Sequence, residues 1–214
     1  MTIACPLCLS AQTEAYFQDK TRSYLACSRC DLIFVPDKHH LDPCQEKQIY
    51  DLHQNSPEDL GYQQFLNKLL TPLTLKLPSA ARGLDFGCGP GPAVKPMLES
   101  KGYSVSNYDV YYPSDEGALE SHYDFITCTE AIEHFNQPRK ELILMNSLLK
   151  PGGLLGFMTK RPTDKAAFAK WHYKNDLTHI CFFSEDTFQW IADWLSYSLE
   201  FPGKDTAILQ KQPC

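Results

Sequence analysis

The sequence predicts an α/β domain built on a doubly wound, mostly parallel sheet, with a small cysteine-rich module in front of it. Three observations carry that prediction. From residue 83 onward, short apolar runs alternate with helical patterns. The first of those runs ends in a glycine-rich turn, Gly87-Cys-Gly89-Pro-Gly91. Four of the nine cysteines fall within the first 30 residues, as two C-x-x-C pairs. A chain of 214 residues has room for one good-sized domain and something small beside it. With 43% hydrophobic and 21% charged residues it is neither disordered nor fibrous. No apolar run approaches the ~20 residues of a membrane helix. The N-terminus lacks the basic-then-apolar pattern of a secretory signal, so the expected location is the cytoplasm, with no membrane partner. The net charge of −6 argues against a protein whose main work is gripping phosphates.

Residues 1–36 read as a zinc ribbon. Cys5-Pro-Leu-Cys8 and Cys27-Ser-Arg-Cys30 are separated by 18 residues, the spacing at which two knuckles close a tetrahedral thiolate shell. An odd cysteine count without a leader favours reduced thiols or metal ligands over a complete disulfide set, a redox dithiol or two disulfides being the competing readings. A closed shell of Cys5, Cys8, Cys27 and Cys30 leaves no open position, so the zinc is expected to be structural. Leu32 to Val35, stopped by Pro36, reads as a short strand. The module carries three cations and three carboxylates; without a basic face, it is expected to cap substrate or contact a subunit.

Residues 37–80 read as a helical linker or cap. Apolar positions 62, 65, 66, 69 and 70 keep helical spacing after a start signal at Ser56, Pro57 and Asp59, and Pro72 and Pro78 mark the end. Residues 81–214 form the main domain. Strands are predicted over 83–87, 103–108, 123–129 and 154–158, and helices over 92–100, from Glu130, and over 142–149.

Ligands of such a sheet sit beyond the carboxyl ends of its strands. The first strand ends in Asp85-Phe-Gly87-Cys-Gly89-Pro-Gly91, where missing side chains let backbone approach a ligand. Asp109 lies 18 residues after Gly91, at the end of the second strand, where a carboxylate can accept both ribose hydroxyls. These segments, with Tyr123-Asp-Phe-Ile-Thr-Cys-Thr-Glu130 and Leu148-Leu-Lys-Pro-Gly-Gly-Leu154, resemble the motifs of class I S-adenosylmethionine-dependent methyltransferases, of Rossmann-like fold. With the ribbon in front, the chain resembles zinc-ribbon members of the broad ubiquinone-biosynthesis-like group. The resemblance implies that Asp85, Gly87, Gly89 and Gly91 hold the methionine end, that Asp109 holds the ribose, and that Thr129 and Glu130 lie beside the sulfonium. Cys88 and Cys128 read as small packing residues.

Methyl transfer requires alignment of nucleophile and methyl, and often removal of a proton. Two clusters offer groups for that work. Glu130-Ala-Ile-Glu133-His134, read as one helical face, resembles the E-x-x-E-H element of small-RNA 2′-O-methyltransferases, which contributes to a divalent-metal site with a distant histidine. The second runs from Trp171 to Ser184 and supplies His172, Tyr173 and His179 on a loop expected to roof the pocket. The catalytic candidates are therefore His134, His172, His179 and Tyr173, with Tyr50, His53 and Tyr62 facing them. Residues 160–179 hold Lys160, Arg161, Lys165, Lys170 and Lys174 against Asp164 and Asp176, a positive segment in an acidic chain. It suggests a small, anionic methyl acceptor. An RNA methyltransferase and a catalytically silent S-adenosylmethionine-binding protein are the alternatives.

Overall fold

A computed structural model describes residues 3–52 and 55–213. His53, one of the residues expected to close the pocket, lies outside the described residues.

The N-terminal part is a hairpin, β1 (Thr13–Gln18) with β2 (Ser23–Cys27), to which β3 (Ile33–Phe34) adds antiparallel. The four cysteines converge at its base. Sγ of Cys5 lies 3.5 Å from that of Cys30, and Sγ of Cys8 3.4 Å from that of Cys27. All four sulfurs are buried and within 4.8 Å of one another, a shell that fits one thiophilic ion. Cys30 hydrogen-bonds to the Cys5 thiol and draws it down to about 6, toward the thiolate that a metal takes.

Two helices follow: α1 (Pro43–Tyr50), opened by Asp42, and α2 (Leu60–Thr74). Asp59 caps α2, accepting from the Gly61 and Tyr62 amides at 2.7 and 3.2 Å. Leu66, Leu69, Leu70 and Leu73 line its buried face. Pro72 does not end this helix, as its sequence suggested. The missing amide costs one bond near the C-terminus, and burial of Leu73 holds the last turn together.

The main sheet has the order β5-β4-β6-β7-β10-β9, from β4 (Arg82–Phe86), β5 (Ser104–Tyr108), β6 (Tyr123–Thr129), β7 (Leu149–Met158), β9 (Tyr197–Gly203) and β10 (Thr206–Lys211). The pairs β4–β5, β4–β6 and β6–β7 are parallel; β10 runs antiparallel to both its neighbours. α2 and α3 (Val94–Glu99) cover one face, and α4 (Pro138–Leu148) and α6 (Glu185–Leu195) the other. Along β7, Leu154 and Met158 enter the first core while Leu155 and Phe157 enter the second. The expected doubly wound, mostly parallel sheet is present, with an antiparallel edge.

The ribbon and the main domain are not separate bodies. β8 (Cys181–Phe182) leaves the main domain and pairs with β3, so the small sheet reads β1-β2-β3-β8. The Val35 amide donates to the Ile180 carbonyl at 2.8 Å. Phe168, on α5 (Lys165–Lys170), packs edge-on against Tyr24 and Phe182 at 5.2 and 5.3 Å. The boundary expected at residue 36 is therefore crossed by a continuous sheet and a shared aromatic core.

Candidate active site

The carboxyl ends of β4, β5 and β6 open into a cavity of about 690 Å³. The turn after β4 forms its floor. Gly87 and Gly89 have φ of +80° and +66°, values that side chains disfavour. The Gly87 and Cys88 amides both donate to the Tyr108 carbonyl, which ties the turn to the end of β5. Gly91 serves differently: a Cβ there would lie 2.0 Å from the Asn55 carbonyl, so its role is to let the segment before α2 cross the turn. Unlike Gly87 and Gly89, Gly91 is not on the cavity wall.

Asp109 is fixed from three sides. Oδ2 accepts from the Gly89 amide at 2.9 Å, and Oδ1 from the Tyr111 and Tyr112 amides at 2.8 and 3.3 Å. Asp85 is 2% exposed, and its Oδ1 accepts from the Thr127 hydroxyl at 2.9 Å. Burial pushes its carboxyl up to about 7, so it waits for a positive partner. A glycine turn, a ribose-ready carboxylate and a buried acid on one wall fit the cofactor implied by the motifs.

At the end of β6 the chain departs from the expected helix. Thr129 reaches the cavity, and Glu130 takes a left-handed conformation, φ 48°, with its amide donating to the Met158 carbonyl at 2.7 Å. One 3₁₀ turn, Ile132–His134, replaces a helix starting at Glu130. The three polar side chains converge nonetheless. Glu133 is fully buried and Glu130 half-buried; burial raises the first to about 8 and the second to about 7. Glu130 Oε1 and Glu133 Oε2 have no hydrogen-bond partner among the described residues. Buried carboxylate oxygens in that state are suited to a cation.

The roof loop supplies the next ligand-type group. Ligand atoms of Glu133, His134 and His179 lie within 4.8 Å of one another, and the two imidazoles meet edge-to-face at 4.7 Å. His134 Nδ1 lies 3.1 Å from the Thr178 carbonyl, and His179 Nδ1 lies 2.7 Å from that of Tyr173. A carbonyl only accepts, so both rings carry a proton on Nδ1, and His179 Nε2 lies 3.8 Å from Asp176 Oδ2. His179 is the histidine that the roof loop brings beside Glu133 and His134.

Two catalytic candidates do not reach the cavity. His172 is exposed, with Nε2 3.3 Å from Lys160 Nζ. Tyr173 is buried behind the wall, where its hydroxyl donates to Glu133 Oε1 and lies 3.3 Å from Glu130 Oε2. It links the two glutamates and is not on the cavity wall. The positive segment also turns away from the cavity. Lys174 pairs with Asp19 at 3.5 Å, and Arg161 donates to the Thr206 and Gly203 carbonyls, both at 2.8 Å. Lys160 lies over the Tyr173 ring and Lys165 over that of Tyr16. Among the described residues no lysine or arginine borders the cavity, whose wall includes Glu46, Asp85, Asp109, Glu130, Glu141 and Asp176.

Tyr50 and Tyr62 line the cavity as expected. Glu46, Tyr111 and Tyr112 were not anticipated. Glu46 accepts from the Tyr50 and Tyr111 hydroxyls at 2.7 and 2.5 Å, and Asp51 accepts from the Tyr112 hydroxyl at 2.8 Å. These bonds seat α1, which has no buried residue, over the cavity. The signal for the two tyrosines was their pairing just after Asp109 and Val110.

A family model described as a methyltransferase domain matches residues 59–195. A curated relative, the ubiquinone biosynthesis O-methyltransferase of Colwellia psychrerythraea, is 30% identical over 100 residues, or 46% of this chain. The chain spans 40% of the length of that relative. Among solved structures, a Bacillus halodurans protein provisionally described as a methyltransferase superposes with a TM-score of 0.50 at 18% identity, covering 64% of this chain and 70% of that one. A methyltransferase from Methanosarcina mazei gives 0.49 at 16% identity, covering 67% and 98%. The Bacillus likeness is one of fold: a Rossmann-like sheet.

Proposed function

The chain belongs to the methyltransferase-domain family, and from that premise we propose that it transfers a methyl group from S-adenosylmethionine to a hydroxyl of a small molecule. The observation that carries this reading is that the glycine turn with Asp109 lines the same cavity as Glu130, His134 and His179, with the buried Glu133 within 4.8 Å of the two imidazoles. In this reading Asp85, with the Gly87 and Gly89 backbone, pairs with the cofactor's ammonium end, and Asp109 accepts from its ribose. Thr129 and Glu130, at the strand end, face the sulfonium. The acceptor enters between Tyr50, Tyr62 and Phe65, whose rings exclude water and orient it for in-line attack.

Glu133, His134 and His179 fit a divalent cation, having a buried carboxylate oxygen to be satisfied and two imidazoles turned by backbone carbonyls, with Glu130 tied to Glu133 through the Tyr173 hydroxyl. Such a cation supplies Lewis acidity that makes an acceptor hydroxyl a better nucleophile at neutral pH. The printed name of the Colwellia relative, an O-methyltransferase, supports attack by oxygen. The expected anionic acceptor loses its physical basis, because the lysines and arginine that suggested it do not border the cavity. A neutral, ring-bearing hydroxyl compound suits a wall of tyrosines and carboxylates better. Zinc on Cys5, Cys8, Cys27 and Cys30 is read as structural.

The test is to incubate the protein with methyl-labelled cofactor, a metabolite extract and total RNA, with and without Mn²⁺. Label in a small molecule, increased by Mn²⁺, is the expected result. Label in RNA alone would favour a nucleic-acid substrate, and binding of cofactor without any labelled product would make the chain a silent binder.

A further inference from the structure

Arg22 entered the sequence reading only as one charge in a neutral ribbon. It sits at the tip of the β1–β2 hairpin and is 3% exposed. The tip is held by Asp19, whose Oδ1 accepts from the Thr21 and Arg22 amides at 2.8 and 2.9 Å. From there the guanidinium reaches into the main domain. Nη1 donates to the Leu177 carbonyl at 3.0 Å, and Nη2 donates to the Lys174 and Asp176 carbonyls, the latter at 2.8 Å. Nε donates to the Tyr24 hydroxyl at 2.9 Å, which in turn donates to Asp19 Oδ2 at 2.8 Å. Among the described residues no carboxylate pairs with Arg22 directly. A buried cation is therefore spent on three carbonyls of one short loop.

That loop is the roof of the site. Asp176 Oδ1 accepts from the Thr178 amide and hydroxyl at 2.9 and 2.6 Å, and the Asp176 carbonyl accepts from the His179 amide at 3.3 Å. The carbonyls that turn the two histidine rings, those of Tyr173 and Thr178, flank the three that Arg22 holds. We propose that Arg22 is a positioning residue: by gathering the 174, 176 and 177 carbonyls, it sets the loop whose Thr178 and Tyr173 carbonyls hold His134 and His179 in their Nδ1–H forms, with His179 Nε2 3.8 Å from Asp176 Oδ2. The proposal rests on the cluster's place in the proposed site. It also gives the ribbon a task, to present a guanidinium that the loop cannot supply itself. A lysine could not replace it, having one nitrogen for three carbonyls spread along the loop.

Histidine-ring ¹⁵N NMR of the full, zinc-loaded chain at pH 8 tests this, with His134→Gln and His179→Gln identifying the two signals. The wild type is expected to show both rings as Nδ1–H tautomers. Arg22→Ala is expected to move both toward the Nε2–H form that free neutral histidine prefers, with zinc retained and cofactor affinity within about threefold, since the cofactor contacts are remote. Unchanged tautomers in Arg22→Ala would reduce Arg22 to a cross-link between hairpin and loop and overturn the proposal. If Arg22→Ala loses zinc and cofactor binding, Arg22→Lys decides: a partial tautomer shift supports the proposal, and wild-type signals refute it. Tautomers do not depend on turnover or on Mn²⁺, so a wild type that fails to transfer methyl or bind Mn²⁺ counts against the proposed function alone.

Discussion

Asp85→Asn should act in opposite directions on stability and on cofactor binding. Asp85 is 2% exposed and its carboxyl is pushed up to about 7 by burial, from an ordinary value of 3.8. Below pH 4 it is protonated in both folded and unfolded chains and contributes no difference. As pH rises from 4 to 7 the unfolded chain releases the proton while the folded chain holds it, so the apoprotein loses stability. A shift of about three units at about 1.36 kcal/mol each gives up to about 4 kcal/mol, fully expressed above pH 7. Asparagine keeps an oxygen for the Thr127 hydroxyl and carries no charge. The variant apoprotein should therefore match the wild type below about pH 4 and exceed it by up to about 4 kcal/mol at pH 8. Urea unfolding at several pH values measures this, with unchanged m-values required. Cofactor binding runs the other way, because the ammonium end pairs with the ionised carboxylate. By calorimetry, wild-type affinity should climb by up to about tenfold per pH unit on approach to pH 7, and the variant should bind weakly with that slope gone. A variant no more stable than wild type at pH 8, or one whose stability difference is the same at pH 5 and pH 8, would refute the reasoning.

Three further expectations follow from the geometry. Cys27→Ser should release the one zinc expected per chain and, because β3 pairs with β8, should raise hydrogen exchange in residues 172–182 as well as in the ribbon; a change confined to residues 3–36 would contradict the shared sheet. Asp109→Ala should weaken S-adenosylmethionine binding by about 1.5–3 kcal/mol, the scale of hydrogen bonds to a charged acceptor, with part of the loss coming from the freed Gly89 amide; unchanged affinity would place the ribose elsewhere. Lys170→Glu should leave kcat/KM and its salt dependence unaltered, since this exposed side chain does not border the cavity; a marked drop would restore the anionic acceptor.

The parts legible in the sequence are those whose chemistry is local. A glycine turn, a carboxylate at the next strand end and two cysteine knuckles each sit within a few residues, and each lies where its spacing implied. The helix expected from Glu130 failed because a helical face and a left-handed residue followed by a 3₁₀ turn bring the same three side chains together. Only the backbone separates the two. The second cluster failed differently. His172, Tyr173 and His179 share a segment, yet one is exposed, one is buried behind the glutamates, and one faces the cavity. Which does which is set by the short 3₁₀ turn that contains two of them, and nothing in their spacing encodes it.

The charge argument failed for a physical reason that extends beyond this chain. A run of lysines and arginines creates a field over a cleft only if its members face the cleft. Here Lys174 is 5% exposed and shares Asp19 of the hairpin, while Arg161 holds the turn between β9 and β10. Both are structural ties between distant segments. The same holds for Arg22, whose loop partners lie more than 150 residues away. Cations that look like surface charge in one dimension are, in this fold, fasteners between the ribbon, the roof and the sheet edge. Of these, Arg22 alone holds roof-loop carbonyls beside those that meet His134 and His179. The acidic wall, by contrast, gathers its carboxylates from residues 46 to 176, and no local window of the sequence contains more than two of them.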